Sequence, residues 1–494
     1  MPEPTRRHVL RGAVGALALA SLGACSSARG TPAPTVGGHT AGIAPMTAAA
    51  PAPGGRVVTA TLTPRPVTLD LGGVEARTWA YAESLPGPVL RARAGDLLRV
   101  TVHNRLPAET TVHWHGIRLR HAADGVPGIT QAPIAAGADY RYDLVVPDPG
   151  TYFFHPHVGV QLDRGLSGPL VVDDPHDPGD YDVEWVVVLD DWTDGVGRSP
   201  DDILAGFRAQ NGTVSTGMSH MSGMGHMGSA SPLGDAGDIP YPHYLVNGRI
   251  PAAPATLSAK PGQRARIRFI NAGADTIFAV ALGGHPMTVT HSDGYPVRPV
   301  QTPALYIAMG ERYDVTVRLR DGAFPLVARA EGKNGAGLAI VRTGSGAAPT
   351  AATRVAELSQ QPLLGTSLAA AESARLPERD PDDTVEVQLN GQMQPYAWGL
   401  NGKRYGEDTP IGVTEGQRLR LRMTNMTMMS HPMHLHGHTW GLPGSGGLRK
   451  DTVLIPPMQT VEADLQADNP GTWAYHCHNV YHGEVGMMTT LRYA

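Results

Sequence analysis

Cysteine is almost missing from this chain, with two in 494 residues. Two thiols cannot build a disulfide framework, which leaves Cys477 as a lone thiol or a ligand. An excess of charge is missing as well. Lys and Arg number 40 against 45 Asp and Glu, a formal charge of −5. No Lys/Arg run marks a face for nucleic acid, so binding to a polyanion is not expected. Long helical periodicity is also lacking, so helices do not fill the chain. At this length one core of ordinary domain size is too small, and about three domains are expected. Histidine, at 21, and methionine, at 17, are plentiful.

The first 25 residues read as a targeting segment outside the fold. TRRHVLR (5–11) carries twin arginines, and GAVGALALASLGA (12–24) is an apolar run too short to span a bilayer as a mature helix. This is the pattern of a Tat signal. LGAC (22–25) resembles a lipoprotein cleavage box, which makes Cys25 the lipidation candidate; the alternative is a plain signal peptide with an incidental cysteine. Residues 26–55, rich in Ala, Pro, Gly and Thr, read as a flexible tether reaching on the order of 30 Å. Export to the periplasm or the outer face of the cell membrane is expected, with membrane contact only through a lipid.

The remainder repeats itself. AGDLLRVTVHN (94–104), PGQRARIRFIN (261–271) and EGQRLRLRMTN (415–425) share a Gly, alternating apolar positions and a closing Asn. Period-two alternation closed by Asn predicts a half-buried strand running into a turn. The expected architecture is all-β, three Greek-key β-sandwich domains at 56–175, 176–345 and 385–494, with a connector at 346–384 holding short helices. A second repeat joins only the outer domains: GTYFFHPHVG (150–159) matches GTWAYHCHNV (471–480), and TTVHWHG (110–116) matches HPMHLHG (431–437). Domain two echoes the latter in GGHPMTVTHSDG (283–294), with Thr288 and Thr290 in place of His434 and His436. It is expected to hold no metal.

Successive side chains of a strand point to opposite faces, so His476 and His478 share a face about 6.6 Å apart while Cys477 faces the other way. The cysteine face, joined by His431, His482 and the thioether of Met487, offers two imidazoles, a thiolate and a weak axial methionine. That set suits a blue, type 1 copper for one-electron transfer. On the opposite face His113, His115, His155, His157, His434, His436, His476 and His478 converge. Imidazoles suit copper, and the carboxylate cage that magnesium or calcium needs is missing.

The segments HWHG, HPHVG, HPMHLHG and HCHNVYHGEVGM resemble, in order, the four copper motifs of the multicopper oxidases, among them laccases and bacterial cuprous oxidases. The resemblance implies cupredoxin-like domains and four copper ions per chain. His113 and His434 would hold the type 2 ion, and His115, His155, His157, His436, His476 and His478 the type 3 pair. His431, Cys477, His482 and Met487 would hold type 1. It also implies one-electron oxidation of a donor coupled to reduction of O2 to water, with Cys477 and its bonded neighbours as the electron path. Pro156 stands where the matching motif has Cys477, so only domain three should be blue.

Asp124 matches the family's acidic residue beside the cluster and is the candidate proton supplier; alternatively it is only the turn residue of ADGVPG. Many bacterial members carry a glutamate directly after the equivalent of His482. This chain has Gly483 there and Glu484 next, and strand alternation turns Glu484 aside, leaving the second half of the proton path open. MSHMSGMGHMGS (218–229) spaces Met218, Met221, Met224 and Met227 at threes with His220 and His226 between them. It reads as a loop collecting Cu(I) or as low complexity without a specific ligand. Met429 stands two before His431, as in cuprous oxidases, but Thr427 replaces their acid four before it. The expected donors are Cu(I), giving copper tolerance, or phenols and aromatic amines, with a monomer expected. Two other readings were weighed: a copper storage protein, which has no use for a cysteine wired to a cluster, and a copper nitrite reductase, which lacks the full eight-histidine set.

Overall fold

Each repeated alternating segment forms the same strand of the same sheet. The structure, a computed structural model, describes residues 49–177, 179–216 and 231–494, all within one compact unit. The signal, Cys25, most of the tether, and the Met-rich residues Met218, His220, Met221, Met224, His226 and Met227 lie outside the described residues. The end of the expected tether is already docked: the amide of Ala52 donates to the Gly95 carbonyl at 2.9 Å.

In domain one Leu97–His103 runs parallel to Val57–Leu62 and antiparallel to Asp139–Val145. Arg264–Asn271 and Arg418–Asn425 occupy the same place between a parallel and an antiparallel partner in the next two domains. The closing Asn of each repeat is fully buried and does the same job. Asn104 donates to the Ile134 carbonyl, Asn271 to Ile307 and Asn425 to Ile455, each at 2.9 Å, and each side-chain oxygen accepts the amide two residues on. A buried amide satisfied on both ends ties the strand to the loop that follows. In domain three that loop leads into His431.

The second sheet of each domain carries the chemistry. In domain three its order is Ile411–Val413, Met488–Tyr493, Thr472–Cys477, His431–Leu435, Thr452–Ile455. Domain one sets Gly150–His155 beside His113–His115 in the same manner. In domain two the strand at the position of His431–Leu435 is Phe278–Leu282, five buried apolar residues. The echo at 283–294 therefore misled: Met287–Ser292 lies in the other sheet, between Tyr295–Thr302 and Arg312–Arg318. Among its described residues, domain two offers no metal cluster because the strand at the ligand position is apolar, not because Thr288 and Thr290 replaced histidines.

The connector carries short 3-10 turns at Ala356–Ser359, Gly365–Ser367 and Glu372–Ala374. Two α-helices were not foreseen. Pro200–Arg208 starts with Ser199 accepting the amide of Asp202, a cap with proline in the first turn. Val480–Val485 begins where the final histidine motif was read as strand. Its cap is Asn479, whose side chain accepts from the amides of Tyr481 and His482.

Candidate metal centre

Pairing in the second sheet of domain three sets Met433 opposite Cys477 and His434 opposite His476. Alternation then separates the two chemistries as the sequence demands. The sulfur of Cys477 lies 3.7 Å from Nδ1 of His431 and 3.7 Å from Nδ1 of His482, and those two nitrogens are 3.2 Å apart. Met487 is buried beside them, its carbonyl accepting the Cys477 amide at 3.0 Å. Burial pushes the Cys477 thiol up and the His431 imidazole down. A cavity holding a neutral thiol and a neutral imidazole fits a soft cation, which converts the thiol to thiolate on binding.

His476 and His478 turn away into a cage with the other six imidazoles. His115 stacks on His434 and His113 on His436, each at 3.8 Å between ring centres. Nε2 of His476 lies 3.0 Å from Nε2 of His436 and 3.3 Å from Nε2 of His157. Two ligands of one ion at about 2 Å each stand about 3–3.5 Å apart, so these facing nitrogens fit a shared metal. The opposite ring nitrogens are spoken for. Nδ1 of His113 donates to the Asp124 carbonyl, of His434 to the Asp451 carbonyl, of His155 to Pro156 and of His476 to Cys477, at 2.8 to 3.0 Å. Nδ1 of His436 donates to the Asp124 carboxylate at 3.0 Å. Fixing one nitrogen as donor leaves the other as a lone pair. His113, His155 and His434 accordingly keep Nε2 buried without a partner, and His115 keeps Nδ1. Burial, followed by neighbouring imidazoles, holds His115, His155, His157, His436 and His478 well below the usual histidine range and His476 at about 3. These six are thus neutral donors, the form in which histidine binds copper.

The eleven expected histidine and cysteine ligands are brought to one of the two centres, and the backbone of Met487 adjoins the cysteine centre. Asp124 is there too, fully buried, its second oxygen 3.2 Å from Nδ1 of His113. Glu484 is not. It sits on the helix Val480–Val485 and pairs with Arg208 at 3.0 Å, turned aside as expected, though by a helix and not by strand alternation. Thr427, read as the loss of an acid, instead holds Nε2 of His431 through its hydroxyl at 2.8 Å. Met429 is buried, and its backbone bridges to Gly234 and Asp235 just after the Met-rich segment.

Several residues escaped the sequence reading. Asp238 accepts from Nε2 of His482 at 2.9 Å and from the hydroxyl of Tyr396 at 2.6 Å, and Trp398 stacks on the His482 ring at 4.2 Å. Asp451 accepts from Nε2 of His115 at 3.1 Å. Burial alone would raise the Asp451 carboxyl, yet Arg312 and then His434 hold it below the usual carboxylate range.

Family models described as multicopper oxidase match residues 64–177, 184–346 and 378–494. The chain is 48% identical over 491 residues to multicopper oxidase MmcO of Mycobacterium tuberculosis, covering 99% of this chain and 97% of that one. It is 29% identical to copper resistance protein A of Escherichia coli, over 86% of this chain and 90% of the relative. Among solved structures, a multi-copper oxidase from Pseudomonas Thermotolerans superposes with a TM-score of 0.67 at 27% identity, covering 89% of this chain and 99% of that one. With a cysteine centre and a histidine cage built on one tripeptide, and matches along nearly its whole length, the chain belongs to the multicopper oxidases, enzymes that bind four copper ions as one type 1, one type 2 and two type 3.

Proposed function

We propose that this enzyme oxidises Cu(I) and reduces O2 to water, protecting the cell from copper. The observation that carries the reading is the placement on domain three of the described residues that flank the Met-rich segment, Gly212 before it and Leu233 after it. Before it, Arg404 donates to the Gly212 carbonyl. After it, Ser430 donates to the Leu233 carbonyl at 2.7 Å and Asp238 reaches His482. Met428 is half exposed on the same loop as His431. Thioethers favour a soft cation such as Cu(I). The relatives named copper resistance proteins agree with this.

Bound copper supplies one-electron oxidation at the cysteine centre and the four-electron reduction of O2 in the cage. The chain supplies the rest. Cys477 shares peptide bonds with His476 and His478, a covalent path between centres. Asp124, whose Oδ1 is close only to His113, can take a proton there and hand it on. The histidine cage is buried, which keeps bulk water from its contents.

A second reading, oxidation of phenols or aromatic amines, has the laccase relatives in its favour. Export through the twin-arginine segment, with a lipid on Cys25, belongs to the same proposal, because a cuprous oxidase protects best where copper enters. The test is O2 consumption with Cu(I) and with a phenol, in the full chain and in one lacking 218–228. Loss of cuprous turnover with phenol turnover kept supports the proposal. Equal cuprous turnover in both chains overturns the role of the segment, and absence of O2 consumption with either donor in copper-loaded protein overturns the oxidase reading.

A further inference from the structure

We propose that domain two, which supplies none of the eight cage histidines, sets the ligand atom of His115 through Arg312, a positioning residue for the histidine cage. Arg312 is completely buried and ends the junction of all three domains. Its Nε donates to the Thr151 carbonyl of domain one at 3.0 Å, and its two terminal nitrogens grip Asp451 of domain three at 2.7 and 2.6 Å. A guanidinium held by two parallel bonds fixes the plane of the carboxylate as well as its place. The same Asp451 oxygen that Arg312 Nη1 holds accepts from Nε2 of His115 at 3.1 Å, with the Thr452 hydroxyl also on it at 2.9 Å.

His115 departs from the pattern of five other cage histidines, while His478 has both ring nitrogens buried without a partner. His113, His434, His436, His155 and His476 give their Nδ1 proton to an oxygen and present Nε2; His115 presents Nδ1 because its Nε2 faces Asp451 at 3.1 Å and, at 3.0 Å, the Thr452 hydroxyl that itself donates to Asp451. Nothing else in its own domain makes that choice. The grip is also closed sterically. A Cβ on Gly116, next in sequence to His115, would stand 2.4 Å from Arg312 Nη2 and 2.6 Å from Asp451 Oδ2. A second loop of domain two reinforces the strand behind it, Asp293 accepting the amides of Asp451 and Thr452 at 3.3 and 3.1 Å.

Two full-length variants test this, independently of which donor the enzyme oxidises. Arg312→Lys keeps the buried charge but offers a point donor in place of a fork; Arg312→Gln removes the charge. Each is copper-loaded, then challenged with a graded chelator while copper per chain, the blue absorbance of the cysteine centre and the melting curve are followed. The expected result is retention of the cysteine-centre copper and its blue colour, with the three cage ions lost at about 10-fold lower chelator in the lysine variant and about 100-fold lower in the glutamine variant, the range for removing a partner behind a metal ligand. A purely structural or charge-balancing role predicts cage retention at the wild-type level in the lysine variant, and that result overturns the proposal. Should the glutamine variant fail to fold, the lysine variant decides alone.

Discussion

Asp238 offers the sharpest handle on the cysteine centre. Its carboxylate receives the Nε2 proton of His482 at 2.9 Å, on the side of the ring opposite the nitrogen that faces Cys477. A negative acceptor behind a ligand raises the ligand's basicity and favours the more positive, oxidised centre. Asp238→Asn is nearly isosteric and still accepts from the Tyr396 hydroxyl, so it removes charge and little else. A hydrogen bond to a charged group contributes roughly 1.5–3 kcal/mol. For a one-electron couple about 1.4 kcal/mol corresponds to about 59 mV, so the potential should rise by roughly 60–130 mV. The assay is a redox titration followed by the blue absorbance, with copper content checked before and after. A fall in potential, or a rise below roughly 20 mV in fully loaded protein, refutes the reasoning.

Glu484→Gln should leave turnover unchanged and shift stability by less than about 1 kcal/mol, because it breaks only a partly exposed pair with Arg208; a loss of roughly 100-fold, the scale of a general acid, contradicts its placement away from the cage. Asp163 is buried, accepts from the hydroxyls of Tyr481 and Tyr241 at 2.5 and 3.0 Å, and is pushed well above the usual carboxylate range by burial and then by Asp191. The folded chain therefore holds a proton there that the unfolded chain releases, so this site destabilises increasingly as pH rises above about 4. Asp163→Asn should raise the melting temperature at pH 7 and lose that advantage near pH 4, whereas a difference that is flat with pH would count against the assignment. Asn425→Ala leaves two buried carbonyls unpaired and should cost roughly 2–4 kcal/mol while weakening the blue absorbance. Asn271→Ala should cost as much with the blue absorbance intact, because its loop leads into the apolar strand Phe278–Leu282 and not into a ligand of the cysteine centre, and equal loss of blue absorbance in both would contradict that placement.

What was legible was what strand periodicity carries. HCH needs only a period of two to send sulfur and imidazoles to opposite faces, and the repeated strand with its Asn needs only local alternation and a turn. Where the motif leaves the strand, alternation stops applying. Val480–Val485 contains Gly483 and two β-branched valines, poor helix formers, yet it is helical because Asn479 caps it and Tyr481 is anchored to Asp163. Glu484 is turned aside by that helix and not by the alternation expected of it. The 283–294 echo shows the same limit from the other side, since a resemblance in letters does not say which sheet a strand joins. Asp238, Asp451 and Arg312 were not legible at all. Asp238 and Asp451 reach their histidines from segments remote in sequence, at separations of 244 residues for His482 and Asp238 and 336 for His115 and Asp451, a lone carboxylate in an irregular stretch carries no periodic mark, and Arg312 adjoins His115 only through Asp451. By contrast, the serine, proline and two acids at the start of Pro200–Arg208 do spell a helix start, which the search for strands passed over.

Anomalous scattering at the copper edge, from crystals of the copper-loaded protein, asks most directly whether a thiolate and its flanking imidazoles serve separate ions. One peak should lie within bonding reach of Cys477, His431 and His482, and three should lie among the eight cage histidines. A single ion bonded to both Cys477 and the ring of His476 or His478 would contradict it.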